Sequence, residues 1–215
     1  MTMHPIRMCR FPPIPLFVFL LGLLVLAATF FSTPAKADSR VTHFDLVEKY
    51  PWVREMRVIW LNSGGTRGHP PNQVPMFGGV RKNEAMIASD KAFLAKAREL
   101  AASDAEAVEM SIVLGFRYFS KRDMATAMKR FNQAWLIDPQ RGDIYHGFAR
   151  ILIERDRDLP NAERFFKIAT STKNTGPRAF ADYGRFLIVQ RRYAEAVPML
   201  RVAKEKGPEL RQVYT

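Results

Sequence analysis

The sequence predicts an all-α fold: helix–turn–helix pairs stacked on one another behind an irregular N-terminal extension. Two observations carry that expectation. From about residue 84 to residue 206, apolar and small side chains recur at three- and four-residue spacing, the period of one helix face. The same set then recurs at long range after 69 residues, one more than two 34-residue periods. The composition agrees, since 47% of the 215 residues are hydrophobic, enough to build a core and to exclude wholesale disorder. A single cysteine, Cys9, excludes an internal disulfide framework and a multi-cysteine zinc site.

Residues 1–37 read as an export signal. Arg7 and Arg10 precede an apolar run from Ile14 to Phe31, broken only by the polar Thr29. Ala35 and Ala37 then supply the small side chains that a signal peptidase pocket requires at the −3 and −1 positions. A second reading keeps residues 14–31 as an uncleaved anchor, because that run approaches the length needed to cross a bilayer. Arg7 and Arg10 hold the N-terminus in the cytoplasm in either case, so the body is expected in the periplasm, exported or attached to the inner membrane. No cysteine follows the apolar run, which excludes lipidation after cleavage.

Residues 38–82 show weak periodicity and are expected to form an irregular extension. Val41–Tyr50 can form a short helix ended at the Tyr50–Pro51 step, and Met56–Leu61 is an extended apolar run. Asn62–Pro71 is a loop by composition. It is no phosphate loop, since Gly68 is followed by His69, Pro70 and Pro71, and prolines lack the backbone donors such a loop uses. Gly78–Gly79 marks a turn. From 83 to 102 a capping helix is expected, with Asn83 as its N-cap and Met86, Phe93, Leu94, Ala97 and Leu100 on its packing face.

The repeat occupies residues 108–208. Leu114, Gly115, Tyr118, Ala127, Phe131, Ala134 and Pro139 return as Tyr183, Gly184, Leu187, Ala196, Leu200, Ala203 and Pro208. Between them stand Phe148, Ala149, Leu152, Ala162, Phe166 and Ala169. The small residues let two helices approach closely, while Phe131, Phe166 and Leu200 fill the space between neighbouring pairs. The one extra residue is expected in the turn Asp156–Pro160, where an insertion costs little. The expected pairs are 107–120 with 124–137, 142–155 with 159–171, and 177–189 with 193–206. Pro198 is expected near the first turn of the last helix, where a missing amide is harmless.

This pattern resembles the tetratricopeptide repeat family: a large residue, a large–small pair, another large residue, Ala, an aromatic, Ala and Pro. The first unit (108–141) lacks only the leading aromatic, where Ser111 stands; the second (142–175) has Tyr145 and the third (177–208) Phe180. The second unit departs at Asn174, where the proline is expected. Met128–Trp135 also resembles a stretch found in small exported bacterial members of that family. The resemblance covers about 100 residues. It implies a right-handed superhelical stack with a concave groove lined by the first helix of each unit.

Groove positions projected from that resemblance are Glu109, Ile112, Phe116, Phe119 and Ser120, then Asp143, His146, Arg150 and Ile153, then Arg178, Ala181, Arg185 and Ile188. The Lys/Asn/Arg clamp with which some members grip a terminal carboxylate is absent, since Ile112 and Phe116 occupy its first positions. The resemblance implies a protein or peptide partner; the residues themselves suggest that Arg150, Arg178 and Arg185 hold a carboxylate or phosphate while Phe116 and Phe119 take an apolar side chain. The competing reading has these arginines solvated or paired with Asp143 and Asp182.

Enzyme chemistry is not expected. His146 and Asp143, three residues apart, are the one acid–base pair, and without a nucleophile they read as a satisfied surface histidine. Four scattered histidines predict no metal site, and no cofactor motif is present. The formal charge of +12 invites a nucleic-acid reading, but Asp and Glu are interspersed and the leader directs the body away from nucleic acid. Acidic protein partners or anionic envelope surfaces fit better. The short tail 209–215 leaves the last pair without a polar capping helix, so Val197, Val202 and their neighbours are expected to be covered by Val213–Tyr214, by a partner or by a second copy.

Overall fold

The computed structural model describes residues 68–208; the 14–31 segment, the Ala35–Ala37 site, Cys9, residues 38–67 and the tail 209–215 lie outside the described residues. Within them the regular structure is helical throughout. Two short 3-10 turns, Pro71–Gln73 and Pro75–Gly79, precede α1 (Glu84–Leu100), α2 (Asp104–Ser120), α3 (Met124–Ile137) and α4 (Gly142–Ile151). A π turn, Leu152–Asp156, prolongs α4 and is followed by α5 (Leu159–Ser171), α6 (Pro177–Val189) and α7 (Tyr193–Lys206). Among the described residues no helix is long and apolar enough to cross a membrane.

Sequential neighbours make the most extensive contacts, α2 with α3, α4 with α5 and α6 with α7. The pairs meet through α3 and α4 and through α5 and α6, and α4 also touches both α2 and α6. Capping side chains set the starts. Asn83 accepts from the Met86 amide, Asp123 from Thr126 and Asp158 from Asn161. Ser103 accepts from the Glu106 amide while Glu106 accepts from the Ala102 amide at 2.7 Å. This reciprocal cap starts α2 at Asp104, three residues before the expected 107.

The turns inside the pairs share one construction. Arg122, Arg157 and Arg191 each adopt the left-handed conformation, with φ of 64°, 55° and 61°, immediately before the N-cap of the second helix. In the first and third turns the N-cap amide bonds back five residues, Asp123 to Tyr118 and Arg192 to Leu187. In the second it reaches back six, from Asp158 to Leu152 at 3.1 Å. The extra residue is therefore not in the Asp156–Pro160 turn, as the spacing suggested. It is absorbed one turn earlier, where α4 widens into the π turn, a wider coil that takes one more residue and leaves the connection unaltered.

Phe131 shows why small residues recur. A Cβ on Gly115 would lie 2.6 Å from its ring and one on Gly147 2.4 Å, so the ring fills a slot between α2 and α4 that only glycines leave open. In the last pair Gly184 makes the same allowance for Leu200, with a Cβ 2.6 Å away. Trp135 donates to the Tyr145 hydroxyl, which donates to the Pro139 carbonyl, joining the end of α3 to α4 in the buried core. Asn174 stands where proline was expected, and its carbonyl accepts from the Gly142 amide at 3.2 Å.

Three further expectations need correction. Residues 68–82 are not merely an extension: Val74, Met76 and Phe77 are buried in the core. Fully buried Asn132 donates to the Asn72 and Val74 carbonyls at 3.0 and 2.8 Å, and Arg155 donates to Gln73. Met76, Phe77, Gly78 and Gly79 run left-handed in succession; the glycines adopt it freely, whereas burial holds the other two. The α1 helix packs loosely, with Met86, Phe93, Leu94 and Ala97 half-buried and Leu100 exposed. Pro198 is the sixth residue of α7, beyond the first turn, because the helix starts at Tyr193.

Candidate partner-binding face

The α2, α4 and α6 helices bring together most of the residues singled out in the sequence. Three-residue spacing sets Phe116 and Phe119 on neighbouring turns of α2, and four-residue spacing does the same for His146 and Arg150 on α4. Facing them from α6 is Asp182. Its carboxylate accepts from His146 Nε2 at 2.8 Å and from Arg150 at 2.6 Å, with Arg185 at 3.9 Å. The guanidinium of Arg150 also covers the Phe119 ring, 4.9 Å from its centroid. Phe116 closes the cluster, its ring 5.1 Å from His146 and 5.0 Å from Phe131.

His146 is thus not a surface residue and its partner is not Asp143. It is 2% exposed, enclosed by Phe116 and Phe166, while Asp143, one turn earlier on α4, accepts from the Gly176 amide instead. An ionised carboxylate only accepts, so Nε2 carries the proton of the shared bond, and Nδ1 has no hydrogen-bond partner among the described residues. Burial alone would push the Asp182 carboxyl up. The hydrogen bond and charge of His146, joined by those of Arg150, outweigh burial and bring it down to about 2.

Asp182 was not placed in the groove by sequence. Its neighbour Ala181 occupies the register position of Ile112 and His146, and Asp182 lies about 100° further round the helix, toward α4. The other projected residues divide. Ile112 is buried, Arg178 is exposed with no ion pair among the described residues, and Glu109 pairs with Arg141 at 2.6 Å.

Beside the cluster opens a cavity of about 280 Å³, lined by Arg150, Asp182, Arg185, Phe186, Val189 and Gln190, by Ile153 and Glu154 of the π turn, and by Leu159 and Phe166 of α5. Most of that wall is apolar, and two guanidiniums stand at it.

The chain matches no model of a known protein family, and no curated protein matches it.

A second ionic cluster ties α5 to the start of α7. Arg192 makes paired hydrogen bonds to Glu163 at 2.8 and 2.9 Å and to Glu195 at 2.7 Å. The Arg192 bonds hold the Glu163 carboxyl down to about 2 against burial. Burial, followed by the Glu163 charge, pushes the Tyr183 hydroxyl up to about 12. Near the N-terminal segment, Lys82 lies over the Phe77 ring at 3.3 Å beside Asp90; burial lowers its pKa against that carboxylate. Among the described residues no group of three or more His, Cys, Asp or Glu is placed to hold a metal ion.

Proposed function

We propose that this chain is an exported tetratricopeptide-repeat interaction module of the bacterial cell envelope, which binds a protein or peptide partner on the face shared by α2, α4 and α6. The export reading rests on residues 1–37, and the repeat reading on the signature residues together with the three recurring left-handed arginine turns. In this reading the three pairs stack into a superhelix whose concave side is the Phe119–Arg150–Arg185 face. The observation that carries it is the joint placement of cationic and aromatic groups beside an apolar cavity, a combination suited to an acidic partner with apolar side chains. The module performs no reaction of its own, and the buried His146–Asp182 pair serves to brace α4 against α6.

The test is capture of a cross-linked partner from an envelope fraction. Reversal of charge at Arg150 and Arg185 abolishes capture while circular dichroism stays helical; undiminished capture contradicts the reading. N-terminal sequencing of the mature protein separates the cleaved form from the runner-up, an inner-membrane-anchored scaffold that binds anionic envelope components.

A further inference from the structure

We infer that the cavity between α4 and α6 receives one large apolar side chain from an acidic peptide segment, and that the π turn of α4 shapes it for that occupant. The inference rests on the partner-binding reading above and narrows it to a chemistry. At about 280 Å³ the cavity falls just short of the roughly 300–1,000 Å³ of sites that enclose a small molecule, so it takes a single side chain. Ile153, Phe166, Phe186 and Val189 give it apolar walls, and Val189 is 79% exposed at its mouth, so this apolar surface still faces water.

Charge selects the flanking residues. Both carboxylates of the lining are already engaged, Asp182 by His146 and Arg150 and Glu154 by Arg122 at 3.1 Å. Arg185 stands half-exposed at the rim, and Arg178 lies exposed two turns back along α6. Four guanidiniums, Arg122, Arg150, Arg178 and Arg185, thus stand around two carboxylates, and a segment with aspartate or glutamate beside its apolar residue is complementary to that cationic excess. The extra residue of the second pair enters here: Ile153 and Glu154, which line the cavity, belong to the π turn that absorbs it. A ladder without that residue would close the last turn of α4 to the ordinary helical width.

The test uses fluorescence anisotropy on the full chain purified from the envelope. The probes are a fluorescein-labelled hexapeptide with one phenylalanine among aspartates and glycines, the same peptide with alanine for phenylalanine, and a third with lysines for the aspartates. The phenylalanine peptide binds about tenfold tighter than the alanine peptide. Val189→Glu, at an exposed position, removes that preference with the thermal midpoint unchanged; deletion of Glu154, which also removes its ion pair with Arg122, removes the preference too. Equal binding of phenylalanine and alanine peptides, or a preference that survives Val189→Glu, overturns the inference. If both acidic peptides bind alike and Arg178→Glu weakens them, the face reading stands and the cavity assignment falls. If neither acidic peptide binds, both fall. Stronger binding to phosphatidylglycerol vesicles than to any peptide overturns the inference in favour of a membrane surface.

Discussion

Asp182 on α6 and His146 on α4 share a buried hydrogen bond of 2.8 Å, and with it the second helix pair is joined to the third. Arg150 completes the junction from the same helix as His146, and its guanidinium ties the ionic core to Phe119 of α2. One carboxylate therefore coordinates the face on which partner binding is proposed.

Asp182→Asn tests the junction through pH. The folded carboxyl titrates at about 2, below its ordinary 3.8, so its stabilisation is fully present above pH 4 and is lost as pH falls through about 2. At pH 7 the asparagine variant is less stable by about 2 kcal/mol, and the difference from the parent disappears toward pH 2. Urea unfolding at a series of pH values reads both; a gap that stays constant with pH contradicts the assignment.

Gly147→Ala tests the slot around Phe131. The added Cβ meets the ring at 2.4 Å, and overpacking of this kind costs about 1–3 kcal/mol. Combining it with Phe131→Leu recovers part of the loss, because the smaller side chain yields room. Thermal unfolding of the single and double variants measures the coupling, and simple additivity would mean that the contact is unimportant.

Asn132→Ala tests the hold on the N-terminal segment. Its amide serves two carbonyls of residues 72 and 74, and removing it leaves the buried Val74 acceptor unpaired at a cost of about 1–3 kcal/mol. Limited trypsin digestion should then cut faster after Arg81 and Lys82, with cleavage in α4 and α5 unchanged. Equal cutting rates at these sites in both proteins would show that the two bonds do not secure the segment.

Arg157→Gly goes the other way. Arg157 is exposed and left-handed at φ 55°, a conformation that glycine adopts without the Cβ penalty. The gain is partly offset by the greater freedom of the unfolded chain, leaving about 0.5–1 kcal/mol of stabilisation. A lowered thermal midpoint would mean that the arginine side chain contributes more than its backbone costs.

Much of the helical layout was legible because it follows from local patterns. Asn83 announces α1, and Gly115 and Gly184 sit opposite Phe131 and Leu200, as close packing of paired helices requires. Other features depend on what local patterns do not encode. The repeat length counts the extra residue, but whether a loop or a helical turn absorbs it depends on the backbone bonds around Leu152. Asp182 lies one residue off the projected groove register and is drawn in by His146 and Arg150 from another helix. Residues 68–82 carry no helical period, and Asn132, some sixty residues away, secures them. Pro198 was placed near the first turn although the expected start at 193 agrees with the structure; as the sixth residue of α7 it lies beyond the amides that lack an intrahelical partner.

The central claim is that partners bind the α2–α4–α6 face. Its most direct test is photo-crosslinking in living cells, with a benzophenone amino acid replacing Phe119 on that face or exposed Arg201 on α7. The account predicts a discrete adduct from position 119, lost when Arg150 and Arg185 are reversed in charge, and none from position 201. Adducts formed only from position 201, or an adduct at 119 indifferent to the arginines, would contradict it.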